Sequence, residues 1–324
     1  MSTKILDLMR VPAEEHDINW LRESLQAAVE LEFATIPVYL CGMWSIQEQS
    51  GPAYERINSV VIEEMLHMGL ACNMLTTLGR TPQINTQDVV PNYPGPLPGG
   101  VRPQLTVALT GLSQQVVEDI YMQIEFPEGG PVALALDETF TTIGEFYDAI
   151  LEAFKRLQAS DFTGARQLTS SGLGLFAVRA LADAEKAVNE IKQQGEGTSQ
   201  SPFAVDFGGE LAHYYRFAEI HHGRALVKTA DGKFKFEGDP VPFPAVFPVA
   251  QVPPGGYPES HEFDQQFTSL LNKLQSAWAT GSQTDLRGAV AIMVSGLGDI
   301  ARTLMQTPLP SGHGNFGPDF RLVA

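Results

Sequence analysis

Apolar residues recur three and four positions apart along most of this chain, the spacing of one buried helix face. The first such run spans 16–49, with Leu21, Leu25, Ala28, Val29, Ile36, Tyr39, Leu40, Met43 and Ile46 on one arc. Pro37 sits inside it and predicts a kink. Gly51-Pro52 ends the run, and Pro52 suits the first turn of a second helix over about 52–79. That helix carries Ile57, Val60, Val61, Met68, Ala71, Leu75 and Leu78. So short a break predicts an antiparallel hairpin.

The next stretch holds six prolines between Pro82 and Pro103, which no regular helix or central strand accommodates. Shorter helical patterns follow at 112–125, ended by Pro127, and at 142–158, with Thr142 as N-cap. After a Gly- and Ser-rich break at 170–174 come helices at 176–195 and about 208–224. Ala230-Asp231-Gly232-Lys233, between Leu226-Val227 and Phe234-Lys235-Phe236, reads as a β-hairpin turn. A second proline-dense stretch runs from Pro240 to Pro258, and helices at about 261–280 and 285–306 close the chain. The pattern predicts an all-α fold, a four-helix bundle over 1–225. The hairpin, a Pro-rich arm and two helices over 226–324 would pack on it.

Composition narrows the function. A 324-residue chain with 44% hydrophobic residues can build a large core. Its formal net charge of −17 disfavours nucleic acid and anionic membrane surfaces, since both need clustered Lys and Arg. Two cysteines, Cys41 and Cys72, are too few for a disulfide framework or a thiolate metal site. The N-terminus lacks the apolar core of a signal peptide, and no run of about eighteen apolar residues predicts a membrane span. The expected compartment is the cytoplasm. The apolar Pro-rich arm at 240–254 suits a homodimer contact.

The second helix contains Glu64-Met65-Leu66-His67, a Glu-x-x-His that puts carboxylate and imidazole on one face. A helical wheel at about 100° per residue sorts the neighbouring acids. Glu64 falls at the centre of its apolar arc, with His67 at the edge and Glu63 off it. Glu32 falls on the arc of the first helix, with Tyr39 two turns on, and Glu30 points toward solvent. On the helix at 208–224, Glu210 and His213 share the arc of Phe217, Ile220 and Arg224, while Glu219 and His222 read as solvated surface. Buried acids and imidazoles in such number repel and desolvate unless a cation compensates them. Paired Glu-x-x-His motifs with further carboxylates are a two-metal pattern of helical bundles. Oxygen and imidazole donors without thiolate suit iron first and manganese second. The sixth ligand is Glu196 or Glu145. Glu196 is preferred, because an antiparallel partner starting near 208 would bring it to Glu210 and His213. The expected metal set is therefore Glu32, Glu64, His67, Glu196, Glu210 and His213.

Leu31-Glu32-Phe33-Ala34-Thr35-Ile36-Pro37-Val38-Tyr39 followed by Glu63-Glu64-Met65-Leu66-His67 resembles the first helix pair of the ferritin-like superfamily. Ile143 to Tyr147, Gln194 to Gly197 and His213 to Phe217 are similar to the bacterial family that contains the iminophenyl-pyruvate dimer synthase domain of the violacein and rebeccamycin pathways. The resemblance spans roughly 20–225. It implies a non-haem di-iron oxidoreductase acting on a small molecule, an amino-acid-derived imine or 2-oxo acid. Iron storage or detoxification without small-molecule catalysis is the alternative. Tyr39 and Tyr215 would be donors near the metals, although Tyr215 points off the inward arc, and Arg224 would pair either with a substrate carboxylate or with an acid of the bundle.

Overall fold

The computed structural model describes residues 5–127, 143–197 and 201–323. A short helix, α1 (Ile5–Met9), leads into α2 (Ile18–Ser45), capped by Asp17, whose carboxylate accepts from the amides of Asn19 and Trp20 at 2.9 and 2.8 Å. Helix α2 continues through Pro37, and every residue from Ser24 to Ile46 is buried. Such a helix has no solvent face, so it sits at the centre of the molecule. Gly51, at φ 87°, turns the chain into α3 (Pro52–Thr77), with proline at its first position as expected.

Around this hairpin stand four further helical segments. Helix α4 (114–124) is wound as a π-turn over Val117–Tyr121. Helices α5 (Ile143–Phe154), α6 (Leu181–Glu196) and α7 (His213–His222) follow. Helix α7 touches α3, α4 and α6, while α5 bridges α2 and α6. The expected cap Thr142 lies outside the described residues. Two predicted helices are shorter than the pattern suggested. Residues 176–180 are not helical, and α7 begins only at His213 because Gly208 and Gly209 take φ of 83° and 70°.

The hairpin forms as predicted, with β1 (Arg224–Lys228) antiparallel to β2 (Phe234–Pro240) and Val227 opposite Lys235. Two long helices, α8 (His261–Thr280) and α9 (Gln283–Met305, with a second π-turn at Met293–Leu297), pack on the other side of the α2–α3 hairpin. Asn73 of α3 ties α8 and the loop at 168–176 to the hairpin. Its amide donates to the carbonyls of Leu168 and Phe176, and its oxygen accepts from the Leu168 amide and the Trp278 indole. Arg302 donates to the carbonyls of Trp44, Ile46 and Gln47 and so caps α2 from α9. Contrary to the sequence expectation, α9 is long and apolar enough to cross a membrane by length and composition.

Candidate metal centre

Between α2, α3, α4 and α7 lies a largely buried chamber of acids and imidazoles. Glu32, Glu64 and His67 bring one ligand atom each to within 4.8 Å of one another, and Glu64, Glu125 and His213 do the same. Glu64 belongs to both groups. The imidazoles of His67 and His213 stack with centroids 5.4 Å apart. The two rings share one orientation. His67 turns Nδ1 toward Glu32 at 3.7 Å and meets the Gln194 side-chain oxygen through Nε2 at 2.8 Å. His213 turns Nδ1 toward Glu64 and Glu125, at 2.8 and 3.4 Å, and meets Glu63 through Nε2 at 3.0 Å. Residues behind the rings thus fix the tautomer and leave Nδ1 to the chamber.

Each carboxylate also accepts from one hydroxyl. Thr35 donates to Glu64 at 2.8 Å, Tyr147 to Glu32, and Tyr39 to Glu125. These contacts hold the carboxylates in place. Burial pushes both phenols well above the usual tyrosine range, and Glu125 for Tyr39 and Glu32 for Tyr147 add to it. Burial and the Glu125 charge raise the Glu64 carboxyl to about 7. Burial opposes protonation of His213, but Glu125, Glu63 and Glu64 outweigh it and hold the imidazole well above its usual value. For His67 burial is likewise outweighed, chiefly by Glu32. Burial would raise Glu63, yet His213 and Arg216 bring it below the usual range.

Of the six residues expected from sequence, the structure gathers Glu32, Glu64, His67 and His213. Glu210 and Glu196 stand apart. Glu210 precedes α7, past the two left-handed glycines, so it shares no helix face with His213. It is exposed and pairs with Arg216 at 3.1 Å. Glu196 ends α6 and accepts from the Gly144 amide at 3.2 Å, and Glu145 is exposed. The place they were expected to fill belongs to Glu125, four residues beyond Tyr121 on the buried side of α4. Its signal in the sequence is weak, because the π-turn at Val117–Tyr121 breaks the regular spacing that a helical wheel assumes.

Three further expectations are corrected. Glu30 is buried and accepts from Gln26 at 3.2 Å. Glu219 is buried in an ion pair with Arg56 and accepts from the Leu226 amide at 2.6 Å. Arg224 is exposed in β1 and donates to the Gly238 carbonyl at 3.1 Å, away from the chamber. Tyr215 is half-buried against the Tyr214 ring.

A family model described as ferritin-like matches residues 25–222, a span that takes in all five chamber residues. The chain belongs to the ferritin-like family. A crystal structure of a ferritin-like protein from Caulobacter vibrioides superposes with a TM-score of 0.65 at 22% identity, covering 94% of this chain and 97% of that one. That likeness extends the shared fold across the C-terminal helices. The comparison with curated proteins gave no match.

The chamber of this ferritin-like protein fits metal ions. The buried carboxylates of Glu32 and Glu64 and the partly buried one of Glu125 converge with two imidazoles. The nearby guanidinium of Arg216 is committed to Glu63, Glu210 and Ser59. The decisive atom is His213 Nδ1, which is buried and lies 2.8 Å from a Glu64 oxygen without forming a well-aligned hydrogen bond. A ring nitrogen that faces carboxylates in this way could be satisfied by a cation.

Proposed function

We propose that this ferritin-like protein is a non-haem di-iron oxidoreductase. In this reading Glu32, Glu64 and His67 hold one ion, Glu64, Glu125 and His213 hold the other, and Glu64 serves both. The single observation that carries it is the pair of three-residue groups sharing one buried glutamate. Oxygen and imidazole donors favour iron, with manganese next.

Iron in such a setting supplies electrons to dioxygen and polarises bound substrate. The chain's own residues do the rest. The buried walls exclude water, which strengthens every charge interaction inside. Thr35, Tyr39 and Tyr147 steer the carboxylates, while Gln194 and Glu63 orient the two imidazoles. Similarity of 143–147, 194–197 and 213–217 to the imine-coupling family supports a narrower reading, in which the substrate is an amino-acid-derived imine or 2-oxo acid. We place such chemistry in the cytoplasm, in a homodimer.

The test is metal analysis together with an anomalous-scattering map at the iron edge, on protein loaded anaerobically with Fe(II). Two peaks in the chamber, and dioxygen uptake that an imine or 2-oxo acid stimulates, are expected. A chamber that stays free of metal would sink the site. Assembly into a large shell that turns Fe(II) into mineral, with no response to substrate, would replace the oxidoreductase by a storage protein.

A further inference from the structure

A second concavity lies on the far face of the α2–α3 hairpin, under the roof of α8 and α9. It encloses about 470 Å³, within the range of small-molecule sites. Phe33, Leu40, Trp44 and Met65 line its floor, and Phe267 and Met293 its roof. No residue of the metal chamber lines it.

Several features mark this space as a site for a ligand. The thioethers of Met43, Met65, Met68 and Met293 give it an adaptable wall. The roof is wound as the π-turn Met293–Leu297 beside Gly296 and Gly298, a local break in the helical ladder of the kind that accompanies functional sites. At its mouth Val294 is 75% exposed and Ile62 37%, although both are large aliphatic side chains. The fourth feature is a polar handle. Trp44 is only 4% exposed, and its indole nitrogen faces Gly298, 3.3 Å from where a Cβ would stand. Among the described residues no acceptor takes its N–H, and the nitrogen is not one of their fully buried unpartnered atoms, so it is open to the cavity that Trp44 lines.

Charge decides the ligand class. Arg302 and Asp299 are the charged residues of the lining, and the Arg302 guanidinium is spent on the carbonyls of Trp44, Ile46 and Gln47. No cation remains there for an anionic head group. We propose that this cavity binds an uncharged aromatic carbonyl compound, its rings against the methionine and aromatic walls and its oxygen accepting from the Trp44 indole N–H.

Benzophenone is a suitable probe, because irradiation inserts it into neighbouring C–H bonds. Calorimetric titration of the full chain should show saturable binding with a Kd on the order of 100 μM. Diphenylmethane has the same shape without the oxygen and should bind about fivefold more weakly. Mass spectrometry after irradiation should place the adducts on Met43, Met65 and Met293. Met293→Trp, which fills the roof, should abolish binding while leaving the near-ultraviolet dichroism folded. If that variant does not fold, the mapping on the unsubstituted chain still decides. Absence of saturable binding, adducts outside the cavity, or equal affinity for diphenylmethane would overturn the proposal. So would sedimentation showing that a second copy occupies this face and benzophenone cannot displace it.

Discussion

Glu125→Gln tests the assignment of the chamber most sharply, because the sequence pattern points to other residues. The amide keeps the size of the side chain and an oxygen for the Tyr39 hydroxyl, and removes one charge. Without metal the change should be mild. The charge on Glu125 is one cause of the raised Glu64 carboxyl, so its loss relieves Glu64 while costing His213 an ion partner. The two effects oppose, and the metal-free stability should move by no more than about 1 kcal/mol. With metal the change should be large. Groups standing behind metal ligands are worth 10–100-fold in affinity, so loss of a coordinating carboxylate should cost at least about 100-fold, or about 2.7 kcal/mol. Metal at about a thousand times its Kd stabilises the fold by about 4 kcal/mol, and in Glu125→Gln that gain falls to about 1.4 kcal/mol. At about 2–4 °C per kcal/mol, a metal-dependent rise of roughly 10 °C should shrink to roughly 4 °C. Scanning calorimetry under anaerobic Fe(II) or Mn(II) reads this directly, with Glu196→Gln and Glu210→Gln as controls that keep the full rise. The reasoning is refuted if Glu125→Gln keeps it too, or if Glu210→Gln loses it.

Arg216 is buried between Glu63, Glu210 and Ser59, so Arg216→Met leaves Glu63 with His213 alone and should cost about 3 kcal/mol in urea denaturation. Glu210→Gln, at an exposed end of the same pair, should change stability by less than about 0.5 kcal/mol. Asn73→Leu strands the carbonyls of Leu168 and Phe176 together with the Leu168 amide and Trp278 indole, and should destabilise by about 3 kcal/mol or more. Burial and the Asp264 charge push the Asp319 carboxyl up to about 6. The folded state therefore favours the protonated acid, and Asp319 opposes folding increasingly as pH rises from about 4, where it ionises in the unfolded chain, to about 6, and by a constant amount above that. Relative to the unsubstituted protein, Asp319→Asn should be more stable at pH 8 than at pH 5 by about 1 kcal/mol, allowing for solvent screening. An unchanged difference between the two pH values would show that Asp319 does not titrate there.

The hairpin of α2 and α3 was readable because its apolar spacing is long and its ends carry Asp17, Gly51 and Pro52. Glu64 and His67 followed from one wheel. The same wheel misjudged Glu30, because a helix buried all round has no polar face to calibrate the projection. It misjudged Glu219 for another reason, since the partner that permits its burial, Arg56, comes from α3. Glu210 was drawn inward by treating Gly208-Gly209 as helical, when two successive positive φ values end any helix. Glu125 follows a π-turn near the end of a short helix, where the regular spacing of a wheel no longer holds. Tyr147 carries no sequence signal of its own, because its hydrogen bond to Glu32 crosses between helices far apart in sequence.

The two halves of the chamber also differ in how far the chain must travel to close them. Glu32, Glu64 and His67 fall within residues 32–67, inside one helical hairpin, whereas Glu64, Glu125 and His213 need a closure over residues 64–213. The longer closure costs roughly 1 kcal/mol more in chain entropy, and contacts so distant form late. During synthesis a nascent chain that has released only its first hairpin already carries one complete three-residue group. The other group must wait for α7, so the centre is assembled in two stages set by the order of the sequence.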